Sequence, residues 1–230
     1  MKPIAAALCL LILLLGACKT VSNENPLQFD SAPLFGMIYD MDNRPCAGVS
    51  LLLDGGQKSV TDLDGRFVLL GVKRGTHTLT AASEDREPLE ARFDFQNQTH
   101  VLYLKMVSFD QLLSQAQDAL DRRKWADADR ALRRAAAIHE ADTVLVYLRA
   151  ILDRQQGDST AAAARLESLL AGGGAAPTIY LFLADLYQDS LGKPAAARGA
   201  LEEYLKQVED ADVRKRLEDL KSAESGGVGP

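Results

Sequence analysis

Three hydrophobic periods divide this chain. Residues 4–15 form an unbroken apolar run of 12 behind a single Lys2. From 34 to about 106, short apolar stretches (35–39, 49–53, 67–70, 76–81, 91–95 and 101–104) alternate with turn residues. The turns are Asp42-Asn43-Arg44-Pro45, Asp54-Gly55-Gly56, Asp62-Leu63-Asp64-Gly65 and Lys73-Arg74-Gly75. Short strands with such punctuation predict an all-β domain of two packed sheets. After Met106 the apolar spacing turns helical, and Ser108-x-x-Gln111 has the form of a capping box opening the first helix.

The helical part repeats. Ala116, Ala150 and Ala184 stand 34 residues apart, as do Leu112, Val146 and Tyr180. Ala128 pairs in the same way with Ala162, Leu132 with Leu166, and Ala135 with Leu169. In the third unit the second helix slips by one residue, giving those roles to Ala197, Leu201 and Tyr204. Small residues let the two helices of a unit cross closely, and larger ones fill the space between units. This period resembles the tetratricopeptide repeat (TPR). Gly157-Asp158 matches that family's helix–helix turn, Trp125 leads into the second helix of unit one, and Pro177 and Pro194 open helices. The first unit has Arg123-Lys124 where the turn glycine is usual. A helix over 212–221, with Val213, Leu217 and Leu220 on one face, suits a terminal cap. The expectation is seven helices: three pairs and a cap.

The β part carries Gly36-x-Ile38-x-Asp40, Pro45-x-x-Gly48-Val49, Thr61-Asp62-x-x-Gly65-x-Phe67 and Gly75-x-His77-x-Leu79. This spacing resembles the carboxypeptidase regulatory-like domain, a transthyretin-like β-sandwich of the seven-strand type. Asp40 and Asp62 are placed to satisfy turn backbone through their carboxylates. Gly65 permits a positive φ, Asn43 tolerates the left-handed region where glycine is usual, and Phe67 and Leu69 share a core-facing side. The Gly-Tyr common after the fifth strand is absent near Asp85-Arg86-Glu87. The whole chain thus reads as a multidomain β plus α protein, a β-sandwich over 33–106 followed by an all-α TPR solenoid over 107–222. A polar tether (18–32) precedes them and a flexible tail (223–230) follows.

Leu15-Gly16-Ala17-Cys18, directly after the first apolar run, resembles the lipobox of bacterial lipoproteins. A membrane-spanning helix needs roughly 20 apolar residues, so the run suits a signal peptide (1–17) better than an anchor. The resemblance implies a diacylglyceryl thioether on Cys18, further acylation such as palmitate, and stable attachment to a membrane. Lys19 lacks the Asp that retains many lipoproteins at the inner membrane, which by family rule implies the outer membrane, facing the periplasm. Cys9 leaves with the signal, so Cys46 is the one thiol left, and no intrachain disulfide can form. Its position favours a small buried hydrophobe.

Charge narrows the partners. The chain carries a formal net charge of −6, a poor match for nucleic acid. Arg122, Arg123, Lys124, Arg130, Arg133 and Arg134 interleave with Asp118, Asp121, Asp127 and Asp129, which reads as a solvated helix face. His77, His100 and His139 are scattered, no His-Glu-x-x-His occurs, and Gly172-Gly173-Gly174 follows a helix and precedes Pro177, the wrong context for a phosphate loop. Asp62-x-Asp64-Gly65 lacks the rest of a calcium loop. No catalytic set and no cofactor or metal site is expected.

The TPR resemblance implies a concave groove lined by the first helix of each unit. Carried over by repeat position, it consists of Leu113, Gln117, Leu120 and Asp121, then Tyr147, Ile151, Arg154 and Gln155, then Leu181, Asp185, Gln188 and Asp189. The lining lacks the Lys/Asn set that clamps a C-terminal carboxylate in some relatives, which implies an internal peptide segment or helix with apolar anchors as ligand. The same faces serve equally to pack on the β part or on a second copy. The leading expectation is a non-enzymatic adaptor in the cell envelope. The alternative is a glycan-binding module, in which His77, Tyr39, Tyr103 and Trp125 supply stacking surfaces.

Overall fold

The structure is a computed structural model that describes residues 30–96, 99–173 and 176–226. The signal segment, Cys18, most of the tether and the last four residues lie outside the described residues.

Among the described residues seven strands come first: β1 (Ser31–Tyr39), β2 (Ser50–Leu53), β3 (Gln57–Val60), β4 (Arg66–Lys73), β5 (Gly75–Ser83), β6 (Arg86–Phe95) and β7 (Val101–Lys105). They form a three-stranded sheet, β4-β1-β7, and a four-stranded sheet, β3-β2-β5-β6. β1 runs antiparallel to β4 and parallel to β7. Both sheets contribute to one core, with Leu34, Ile38, Phe67 and Leu69 from the first and Leu51, Leu53, Leu79, Ala81 and Phe95 from the second. Cys46 is buried in it. Gly36 is required by packing: a Cβ there would stand 2.2 Å from the Phe67 ring. Strand β1 opens at Ser31, two residues before the expected boundary, because Ala32 is buried opposite Val72.

The turns between strands use their carboxylates as the sequence predicts. Asp40 Oδ1 accepts from the N–H groups of Asp42 and Arg44, and Asp62 Oδ1 from those of Asp64 and Arg66. Asn43 and Gly65 adopt φ of 61° and 73°. Strand β3 has no counterpart among the expected stretches, since Gln57-Lys58-Ser59-Val60 is almost wholly polar. It is held by pairing with β2, and its side chains reach the facing sheet: Gln57 Nε2 donates to Leu70 O and Ser59 Oγ to Val68 O.

Seven α-helices follow among the described residues: α1 (Phe109–Asp121), α2 (Trp125–Ala136), α3 (Thr143–Gln155), α4 (Ser159–Ala171), α5 (Pro177–Asp185), α6 (Pro194–Leu205) and α7 (Ala211–Gly226). Ser108 and Gln111 close the capping box of α1 on each other's backbone N–H. Asp142 and Asp158 cap α3 and α4, and Pro177 and Pro194 sit in the first turns of α5 and α6. The alanines at the repeated positions, 116, 128, 150, 162, 184 and 197, are fully buried where paired helices meet. Helix α7 carries on past Ala223, where a tail was expected to begin.

The one-residue slip in the third unit has a structural cause. Helix α5 passes directly into a π-helical segment, Leu186–Ser190, where Leu191 N–H reaches back to Leu186 O. A π turn absorbs one extra residue without breaking the helix. Gly157 and Gly192 then occupy equivalent left-handed turn positions, φ 88° and 60°. Arg123 takes the same conformation in unit one, φ 56°.

The two parts join through three residues, Met106, Val107 and Ser108. Met106 is buried in the β core and donates its N–H to Tyr39 O. The β5–β6 hairpin grips the start of α1: Glu87 N–H, at the start of β6, donates to Val107 O, and Phe109 N–H donates to Asp85 O in the turn. Side chains close the joint. Arg134 on α2 binds both carboxylate oxygens of Glu87, and His139 Nε2 lies 2.9 Å from Asp85 Oδ1. Arg134 therefore departs from the expected solvated face, whereas Arg130 and Arg133 pair on that face with Asp127 and Asp129. Asp85-Arg86-Glu87, where the β pattern lacks its usual Gly-Tyr, is the segment that meets the helices.

Candidate functional site

Helices α3 and α5 are the first helices of adjacent units and lie side by side. Between them opens a cleft of about 290 Å³, lined by Tyr147, Ile151, Arg154, Gln155, Thr178, Leu181, Phe182 and Asp185. Tyr147, Ile151, Arg154 and Gln155 follow one another at helical spacing on α3. Their partners on α5 come from the next repeat.

Phe182 organises the cleft. Its ring meets that of Tyr147 edge to face, centroids 5.6 Å apart, and the Arg154 guanidinium lies over it at 5.6 Å. Burial, with the Asp185 carboxylate nearby, raises the Tyr147 phenol pKa, so the hydroxyl stays protonated at neutral pH. Asp185 pairs with Arg216 of α7 at 2.7 Å, and Arg216 Nε donates to Gln188 Oε1 at 2.9 Å. On the other side of the third unit, Tyr187 donates its hydroxyl to Glu167, and burial and that carboxylate push its pKa well above the ordinary tyrosine range. The cleft thus has an aromatic and aliphatic floor with one cation and one partly neutralised carboxylate at its rim. It contains no nucleophile paired with a base.

Of the twelve groove candidates, Tyr147, Ile151, Arg154, Gln155, Leu181 and Asp185 come together here. Gln188 lies beyond them, held by Arg216. The candidates from the first unit are not in the cleft. Leu120 is buried in the core formed by α1 and α2, Leu113 packs against that core, and Gln117 is exposed. Phe182 and Arg216 were not read from the sequence. Phe182 stands 34 residues after Leu148, which is buried in the core of the first unit. Arg216 belongs to the capping helix, where no groove position was expected. The spacing from Leu181 on α5 to Lys215, one residue before Arg216, is the signal that could have found it.

The stacking set of the glycan alternative does not form one surface. Tyr39 and Tyr103 lie on the β4-β1-β7 sheet, Trp125 on α2, and His77 on the second sheet. The His77 ring is 11% exposed, packed against Phe93 and bonded at both nitrogens. Among the described residues no group of three or more His, Cys, Asp or Glu could hold a metal ion. No described helix is long and apolar enough to cross a membrane.

No family model matches the chain, and no curated protein does. The solved structures to which the helical part is similar are TPR proteins. The first TPR of Spaghetti bound to an HSP90 peptide is 14% identical over 51% of this chain and 93% of its own, TM-score 0.46. The type III secretion translocator chaperone SycD of Yersinia enterocolitica is 16% identical over 51% and 86%, TM-score 0.46. The Sgt2 TPR domain of Aspergillus fumigatus is 19% identical over 53% and 85%, TM-score 0.46.

Proposed function

We propose that this chain is a lipid-anchored, non-enzymatic adaptor of the bacterial cell envelope, which binds a protein or peptide partner through the TPR-type cleft between α3 and α5. The observation that carries the reading is the cleft itself, with Tyr147 and Phe182 edge to face, Arg154 stacked above, and Ile151 and Leu181 completing an apolar floor. An amphipathic segment with one or two apolar anchors suits such a floor. In this reading the N-terminal part is a carboxypeptidase regulatory-like sandwich that spaces the cleft from the membrane. Cys18 bears the lipid, and the protein faces the periplasm from the outer membrane.

Crosslinking in cells from a photoreactive residue at position 147 tests the adaptor role. The expected result is a discrete envelope protein, captured from Tyr147 and lost when Ile151→Asp accompanies the probe. Tyr147→Ala should weaken binding of that partner by about tenfold or more, as for a buried aromatic anchor. Capture of no partner that depends on residues 107–222 rejects the reading. The anchor is tested separately: Cys18→Ser should move the protein from the membrane fraction to the soluble fraction.

A further inference from the structure

The outward side of the β4-β1-β7 sheet is apolar in the middle and cationic at the rim. Outward residues alternate along β1, and register places their neighbours. Phe35 lies between Val68 and Val101, Met37 between Arg66 and Tyr103, Tyr39 beside Lys105, and Ser31 beside Lys73. Phe35, Leu70 and Tyr103 are 46%, 71% and 65% exposed. A hollow of about 550 Å³ opens over Phe35, Val68 and Val101. The one carboxylate lining it, Asp62, is engaged by the backbone N–H groups of Asp64 and Arg66. No outward position on these three strands carries an acid, although the chain as a whole is acidic.

We infer that this sheet face docks on an anionic lipid bilayer. Aromatic and aliphatic side chains with Lys and Arg at their margin match a membrane interface, where rings enter the headgroup layer and cations meet lipid phosphates. Arg66 is paired with Asp64 at 3.2 Å, but a second copy seated face to face would still bring Lys73 and Lys105 towards cations of the other copy, so charge favours the bilayer. Chain length agrees. Residues 19–30 separate Cys18 from β1, a span of about 40 Å at full extension, and β1 is the central strand of this sheet. That last argument rests on the lipid-anchor reading; binding by the face itself does not.

The test uses the chain from residue 19, which keeps every described element and has neither lipid nor apolar leader. It is floated with vesicles of equal parts phosphatidylglycerol and phosphatidylethanolamine, and with phosphatidylcholine vesicles. The expected result is flotation with the anionic vesicles, reduced about tenfold by Phe35→Glu with Leu70→Glu and reduced by Lys73→Glu. Val144→Glu, at an exposed apolar position on α3, should leave it unchanged. Circular dichroism confirms that each variant is folded, and Tyr103→Glu replaces any that is not. Absence of flotation overturns the inference, as does flotation that these variants do not reduce. Self-association abolished by Phe35→Glu, without vesicle binding, overturns it in favour of a second copy. Release of Cys18→Ser protein in cells reports on the anchor alone, so either idea can fail without the other.

Discussion

At His77, both ring nitrogens face acceptors: Nδ1 lies 2.6 Å from Asp54 Oδ2 and Nε2 2.7 Å from Lys73 O. Only the imidazolium donates to both. Burial alone would lower the His77 pKa, but the bonds to Asp54 and Lys73 outweigh it and raise the pKa above its ordinary value. A raised folded-state pKa means that this stabilisation is full below the unfolded value of about 6.5 and is lost as pH rises through the folded one. The Asp54 pKa is lowered, chiefly by the Thr78 N–H and then by His77, so its contribution holds above the unfolded carboxylate value and fades in stronger acid. Urea unfolding across pH should therefore show stability declining above about pH 6.5, and His77→Gln should flatten that decline. Arg123 gives a second prediction. It holds a left-handed backbone where the other two units have glycine, so Arg123→Gly should stabilise the protein by about 0.5–1 kcal/mol in the same assay. The sequence already showed the missing glycine. It could not show that the turn keeps its conformation and that the arginine bears the strain.

Elements were legible where one period ran long enough. The helices follow from repeated alanines, now seen buried, and from Leu112, Leu132, Leu166 and Leu201, buried with them, and Asp40, Asp62 and Gly65 marked their turns correctly. Strand β3 escaped because pairing with β2 and side-chain bonds to β4 hold it, not a buried apolar face. Strand β6 opens at Arg86, five residues before the apolar stretch at 91–95, because the hairpin with β5 carries pairing as far as Ser83 opposite Arg86. The slip of one residue in the third unit was visible as arithmetic; the π segment is its physical form. Wider turns make weaker local ladders. Amide hydrogens of 187–191 should exchange with solvent faster than those of 180–184, as read by hydrogen–deuterium exchange. Arg216→Ala, by removing the bonds to Asp185 and Gln188, should speed that exchange further. Half of the candidate groove was legible because repeat position fixes which side of a helix faces the groove. Leu120, from unit one, is instead drawn into the local core.

Across the whole molecule, the joint decides how the two parts move. Met106–Ser108 leaves little slack, and the Asp85–Glu87 segment at the β5–β6 hairpin is bonded to the start of α1 by backbone and to α2 and His139 by side chains. Arg134 is partly exposed, so breaking its pair with Glu87 should cost only about 1 kcal/mol. The stronger effect should be on cooperativity: Glu87→Arg should split one calorimetric unfolding transition into two, and adding Arg134→Glu should restore part of the coupling. None of this was legible beforehand, since Arg134 sits in a run of charges that pair locally and only the fold carries it to Glu87. A stiff joint also changes how weak contacts add. If the sheet face meets the bilayer as inferred, the cleft is presented at one height and in one orientation above it. A partner held on the same membrane would then encounter the cleft at a high effective concentration, gaining occupancy from restricted dimension without any additional contact.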